Sequence, residues 1–172
     1  MDLESYIRDI PDFPKPGILF KDITPLLADA GAFRESIDRF HDAYADEGVT
    51  VVMGAEARGF ILGGALAYRL GAGFVPARKP GKLPWNVTKA EYALEYGTDS
   101  LEIHEDAVKP DDVVLIIDDV LATGGTANAK AKLVESKGGR VAGFAFLLEL
   151  DALKGREKLG DRRIVTLIHT SD

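Results

Sequence analysis

The chain has 172 residues, a size that suits one domain with a substantial core, and a net charge of −7 that argues against non-specific nucleic-acid binding. Its 46% hydrophobic and 28% charged residues are ordinary for a soluble globular protein, and the lack of cysteine excludes disulfides and thiolate metal sites. No apolar run approaches the roughly 20 residues of a membrane span, and the first residues, MDLESYIRDI, lack the basic flank and apolar core of a signal peptide, so a cytoplasmic protein is expected.

In chain order, residues 2–9 are expected to form a short helix ended by Pro11. The stretch 14–27, PKPGILFKDITPLL, reads as loop, but Ile18, Leu19 and Phe20 should press it against the body. Phe33, Ile37, Phe40 and Tyr44 recur at helical spacing and predict an amphipathic helix stopped by Gly48. Residues 49–53 read as a buried strand, followed by the small-residue loop 54–59 and an apolar helix over 60–70. A strand over 74–77 leads into the basic loop 78–84, RKPGKLP. The alternation of Tyr92, Leu94 and Tyr96, the turn at Gly97, and the alternation of Leu101 and Ile103 predict a β-hairpin over 90–105.

The run 113–126, VVLIIDDVLATGGT, organises the rest. Its first five residues are apolar and β-branched without alternation, which marks a strand buried on both faces of a parallel sheet. Asp118 and Asp119 follow where that strand is expected to emerge, and then a turn of small and hydroxyl residues, Ala122, Thr123, Gly124, Gly125 and Thr126, opens a helix from 127 that Gly138 and Gly139 stop. Strands over 141–148 and 164–168 complete the pattern. Strands separated by helices predict an α/β fold: an open, mostly parallel sheet flanked by helices. Nothing in 1–172 reads as a repeat or an interdomain linker.

Ligands of such sheets bind beyond the C-terminal strand ends, where the loops 54–59, 78–84 and 118–126 should meet. Arg58 offers a guanidinium among small residues, and Arg78, Lys79 and Lys82 offer cations. The glycine-rich turn presents free backbone N–H groups at the positive end of a helix, which suits a phosphate. Two acids beside an anion cradle fit a ligand that also brings a ribose diol or a bound metal ion. Each element has a plainer reading: chain reversal for the glycines, a helix cap for Asp118, a solvated loop for the cations, packing for the tyrosine stripe. Adjacent acids followed by Thr-Gly-Gly-Thr favour function. The common mononucleotide and dinucleotide phosphate motifs are absent, and His41, His104 and His169 are too scattered to suggest a metal cluster.

The run 114–126 resembles the phosphoribosyl pyrophosphate signature of the type I phosphoribosyltransferases. Further segments, PGILFKDITP at 16–25, EARGF at 56–60, RKPGKLP at 78–84, YALEYG at 92–97 and LKGREKL at 153–159, are similar to the branch of that family that acts on adenine. The resemblance implies a small N-terminal hood (1–30) and a mobile catalytic loop and hairpin (78–105) closing over the site. It implies a Mg²⁺-dependent transfer from phosphoribosyl pyrophosphate to adenine, giving AMP and pyrophosphate in purine salvage through an oxocarbenium-like state. Asp118 and Asp119 would hold the ribose hydroxyls, directly or through metal-bound water, with no certain direct protein ligand to the metal. Residues 122–126 would hold the 5′-phosphate, and Arg58 with Lys79 and Lys82 the pyrophosphate. Leu19, Phe20 and Lys21 would meet the base, with Leu150 on its other face. Glu95 would handle a proton at adenine N9 or N7. A non-prolyl cis peptide within 55–58 and a homodimer are further implications. The alternatives are transfer to another purine, xanthine or guanine, or a regulatory protein that senses phosphoribosyl pyrophosphate; the charge and the lack of spare length weigh against the latter.

Overall fold

A computed structural model of the chain describes residues 1–94 and 96–171. Its centre is a five-stranded sheet built from β3 (Val51–Ala55), β4 (Gly73–Ala77), β7 (Val113–Leu121), β8 (Arg140–Leu150) and β9 (Ile164–Thr170), in the order β4-β3-β7-β8-β9. Every neighbouring pair is parallel, as the buried apolar runs imply. The chain winds outward in opposite directions from β3 and from β7, so the boundary between these two strands is the topological switch point.

The helices α3 (Arg58–Leu70) and α4 (Gly125–Ser136) make the crossovers from β3 and β7. Right-handed crossovers leaving in opposite directions must lie on opposite faces, and the two cores bear this out. Val52, Leu115, Ile117, Ala145 and Leu147 pack with α3 and with α2 (Ala30–Tyr44). Their sheet neighbours Met53, Val114, Ile116, Phe144 and Phe146 pack with α4. The period-two alternation of each strand thus feeds two layers from one hydrophobic run. Tyr44 ends α2 wholly buried, its Oη donating to the Phe144 carbonyl at 2.7 Å, and burial pushes that phenol up to about 12.

The hairpin is present as β5 (Val87–Ala93) and β6 (Thr98–His104), which pair antiparallel. Leu101 and Ile103 of β6 are buried in the α4-side core, so one strand of the hairpin belongs to the body. Four expectations need correction. Residues 2–9 form a 3₁₀ turn over Glu4–Tyr6 and then β1 (Arg8–Pro11), not one helix, because residues 8–11 find a partner in β2 (Leu19–Asp22). The loop-like stretch 14–27 accordingly holds β2 and the start of α1 (Thr24–Ala28), whose Pro25 sits in the first turn where no N–H is needed. Helix α2 ends at Tyr44, ahead of Gly48. Strand β7 does not end at the acids; its ladder with β8 continues to Leu121, and Asp118 and Asp119 lie within it. No helix among the described residues is long and apolar enough to cross a membrane.

Candidate active site

The acid pair is sorted by the alternation of β7. Asp118 turns towards α4, where Lys130 Nζ donates to its Oδ2 at 2.8 Å. Its Oδ1 accepts the Asp119 N–H at 2.9 Å. Asp119 turns towards α3, and Arg58 in the first turn of that helix donates its Nε–H to Asp119 Oδ2. Burial pushes the Asp118 carboxyl above the usual range, opposed by Lys130 and reinforced by the neighbouring Asp119.

After β7 the chain turns sharply. Gly124 has φ +86° and precedes α4, and the first bond into the helix runs from Asn128 N–H to the Gly124 carbonyl at 3.0 Å. The amides of residues 125–127 therefore lack a partner within the helix, and no side chain among the described residues caps them. The turn is backed by the 3₁₀ segment Gly155–Leu159: a Cβ on Gly124 would fall 2.5 Å from the Gly155 carbonyl oxygen, and one on Gly155 would fall 2.4 Å from that of Ala122. Tyr92 of β5 flanks the turn, its Cδ2 3.4 Å from where a Cβ on Gly125 would begin.

The loop after β3 carries charge instead. The peptide between Glu56 and Ala57 is cis, inside the window that the resemblance implies. The Glu56 carboxylate gathers the following basic loop, accepting from Lys82 Nζ at 2.6 Å, Lys79 N–H at 2.9 Å and Arg78 Nη2 at 3.3 Å. Partial burial works against ionisation there, but these donors win and hold the carboxyl at about 2. Arg78 also lies over the Phe60 ring and exchanges backbone bonds with Glu102, so it is a structural residue. Lys79 Nζ donates to Tyr92 Oη at 2.8 Å and to Asp99.

The residues expected around the base do come together. A cavity of about 250 Å³ is lined by Ile18, Leu19, Phe20, Lys21, Arg58, Val120 and Leu150. Phe20 is held edge-on by Phe13 at 5.1 Å between centroids, and the Arg58 guanidinium lies 5.8 Å from the Phe20 centroid. A wider groove, about 560 Å³, lies away from this edge between α2 and α3 and is lined by Phe33, Ile37 and Tyr68 among others. Its distance from the acids and from the α4 turn sets it apart from the site.

Glu95 lies outside the described residues. Sequence reasoning missed Val120, hidden by ending the strand at Ile117, and the gathering role of the Glu56 side chain. It also missed Lys130, which occupies the apolar face of α4 at helical spacing with Ala127, Ala131 and Val134, a signal that was present in the sequence. His169, given no role, lies with Glu149 and Asp151, but Glu149 is already bound by Arg156 Nε at 2.8 Å.

Comparison with known proteins places these features in a group. The phosphoribosyl transferase domain model matches residues 23–171. An adenine phosphoribosyltransferase of Thermotoga neapolitana is 59% identical over 168 residues, covering 98% of this chain and 99% of its own length. The crystal structure of the adenine phosphoribosyltransferase from Thermoanaerobacter pseudethanolicus superposes with a TM-score of 0.94 at 56% identity, covering 98% of each chain. The enzyme from Giardia lamblia, solved with 9-deazaadenine, superposes with a TM-score of 0.92 at 42% identity, covering 99% of this chain and 97% of its own.

Proposed function

The chain belongs to the phosphoribosyltransferase family, and from that premise we propose how it converts adenine and phosphoribosyl pyrophosphate into AMP and pyrophosphate. One observation carries the assignment of places: an aromatic-walled cavity, an acid pair and an uncapped helix N-terminus meet at the C-terminal edge of the sheet, beside the switch point.

Adenine lies between Phe20 and Leu150, with backbone groups of Leu19 and Lys21 on its edge and Val120 closing the side. The ribose hydroxyls meet Asp118 and Asp119, whose carboxylate oxygens keep spare lone pairs beside Lys130 and Arg58. The 5′-phosphate takes the 122–126 turn, Ala122, Thr123, Gly124, Gly125 and Thr126, where the amides of Gly125 and Thr126 are free for it. The pyrophosphate draws Arg58 from Asp119, and Lys79 and Lys82 from Asp99 and Glu56. As the bond from the anomeric carbon to pyrophosphate breaks ahead of bond formation to the base, positive charge develops on the ribose. The acid pair beneath it favours that state. The N9 proton of adenine must leave as the new bond forms, and Glu95 is our candidate to move a proton at N9 or N7. Glu95→Gln should then lower turnover by about 10²–10⁴-fold, and a folded variant with unchanged turnover would remove the residue from the mechanism.

Magnesium fits this edge as a companion of the substrate. A hard cation takes oxygen ligands, and the chain's own carboxylates here are engaged by Lys130 and Arg58. Asp118 and Asp119 would hold a Mg²⁺ that arrives with the substrate, and the ion would offset charge on the departing pyrophosphate. Of the segment 78–105, closure belongs to the loop after β4, since β6 is part of the core; shielding the reacting carbon from water requires it. A homodimer is supported by the α2–α3 face, where Ile61 is 47% and Tyr68 91% exposed. The lack of cysteine agrees with work in the cytoplasm.

The test is incubation with phosphoribosyl pyrophosphate, Mg²⁺ and each purine base in turn. AMP as the one efficient product is expected; IMP, GMP or XMP would overturn the base assignment.

A further inference from the structure

Lys130 is the most deeply enclosed charged side chain among the described residues, with no exposed surface. An ammonium group in that position costs free energy unless it is paired, and even a paired one seldom stabilises a fold more than an apolar side chain of similar volume. Its neighbours on α4, Ala127, Ala131, Leu133 and Val134, already bury the helix against the sheet. Packing therefore gives no reason for a cation here.

The reason lies in its contact. Asp118 is boxed on three sides: Oδ1 accepts the Asp119 N–H at 2.9 Å, the same oxygen lies 3.0 Å from where any side chain at position 59 would begin, and Lys130 Nζ holds Oδ2 at 2.8 Å. The other cation at the acid pair, Arg58, is 44% exposed at the cleft and free to exchange its partner for a ligand. Lys130 has no such access. It stays on Asp118 while Arg58 changes hands, and its charge keeps two adjacent carboxylates from pushing apart.

We propose that Lys130 is a positioning residue for the transfer reaction, fixing the Asp118 carboxylate in the rotamer that receives the ribose hydroxyls. This rests on the placement of the ribose at the acid pair. Without the lysine, Asp118 swings away from Asp119 and the ribose loses one of its two anchors. A displacement of about 1 Å at such a group is enough to lower turnover about 10²-fold.

Steady-state kinetics and direct phosphoribosyl pyrophosphate binding on Lys130→Met, Lys130→Gln, Asp118→Asn and the Lys130→Met/Asp118→Asn double variant test it. Lys130→Met should lower kcat/KM for phosphoribosyl pyrophosphate by about tenfold to a hundredfold while KM for adenine stays within about twofold. Lys130→Gln, which keeps an N–H donor, should recover part of the loss. In the Asp118→Asn background, adding Lys130→Met should change phosphoribosyl pyrophosphate affinity by less than about twofold, because the lysine acts through the acid. Should Lys130→Met not fold, the glutamine variant and the charge-neutral double variant carry the same comparison. Unchanged kinetics in a folded Lys130→Met or Lys130→Gln, or an equal loss with and without Asp118, overturns the positioning role alone. Unchanged phosphoribosyl pyrophosphate binding in Asp118→Asn overturns the ribose placement instead.

Discussion

The two βα turns at the switch point serve one cleft by opposite means. The turn after β3 works through charged side chains: Arg58 sits on Asp119, and Glu56 draws in the backbone and cations of the 78–82 loop. The turn after β7 works through bare backbone, with Gly124 at φ +86° and the uncapped start of α4. A charged turn can hold itself together before a ligand arrives, and the ligand then exchanges partners with it. A backbone turn has nothing to exchange; it is in the right shape or it is useless. The first should tolerate substitution with graded losses, and the second should fail abruptly.

Substitution at the backbone turn should have the largest effect. Gly124→Ala forces a side chain into left-handed backbone and against the Gly155 carbonyl, only 2.5 Å from the new Cβ. Turnover should fall by about 10²-fold or more, with a lower Tm in a thermal melt. A variant with near-normal kinetics would show that the turn adapts and would erase the contrast. Arg58→Ala removes a charge-assisted contact without moving backbone, so kcat/KM for phosphoribosyl pyrophosphate should fall about tenfold to a hundredfold with Tm little changed. Raising KM for adenine instead would give Arg58 its role in the Phe20 cavity that it also lines and place the base there. Lys82→Ala should cost least, about threefold in KM for phosphoribosyl pyrophosphate and more weakly still at high salt, because its ammonium is near solvent.

Glu56 gives the same contrast a pH dependence. Its carboxyl lies at about 2 in the fold against an ordinary 4.5. A depressed carboxyl stabilises the folded state above its unfolded value, and that contribution is lost as pH falls from about 4.5 towards about 2. Glu56→Gln should therefore be less stable than the parent near neutrality, with the gap narrowing below pH ~4 in urea melts. A constant gap across that range would mean that Glu56 is held by packing and not by charge.

Much of the sheet was legible because buried parallel strands announce themselves: 113–117 and 141–148 are apolar without interruption, and both lie inside observed strands. Boundaries were less legible where function intervenes. Asp118 and Asp119 looked like a strand end because acids rarely sit in a core, yet the ladder continues past them with Val120 in the Phe20 cavity and Leu121 in the α4-side core. Residues 8 and 9 fall in the expected helix over 2–9 because a strand as short as 8–11 is decided by its partner, ten or so residues on, and not by its own pattern. The gathering of Leu19, Phe20, Lys21 and Leu150 in one cavity followed from resemblance, since no local rule links residue 20 to residue 150, whereas Arg58, expected at the pyrophosphate, also lines it. Lys130 shows the converse: the spacing exposed it, but a lysine in a helix is easily taken as surface.

The mutual seating of Gly124 on Gly155 and of Gly155 on Ala122 bears on how this site could be copied. The 122–126 turn is contiguous in the chain, which invites treating it as a portable cassette. Its shape, however, is moulded by a 3₁₀ segment that arrives only after β8 has been laid down. Grafting 113–126 into another parallel sheet would transplant the letters without the mould. A successful transplant would have to carry the descending segment 153–159 along with it, two pieces of chain travelling as one unit.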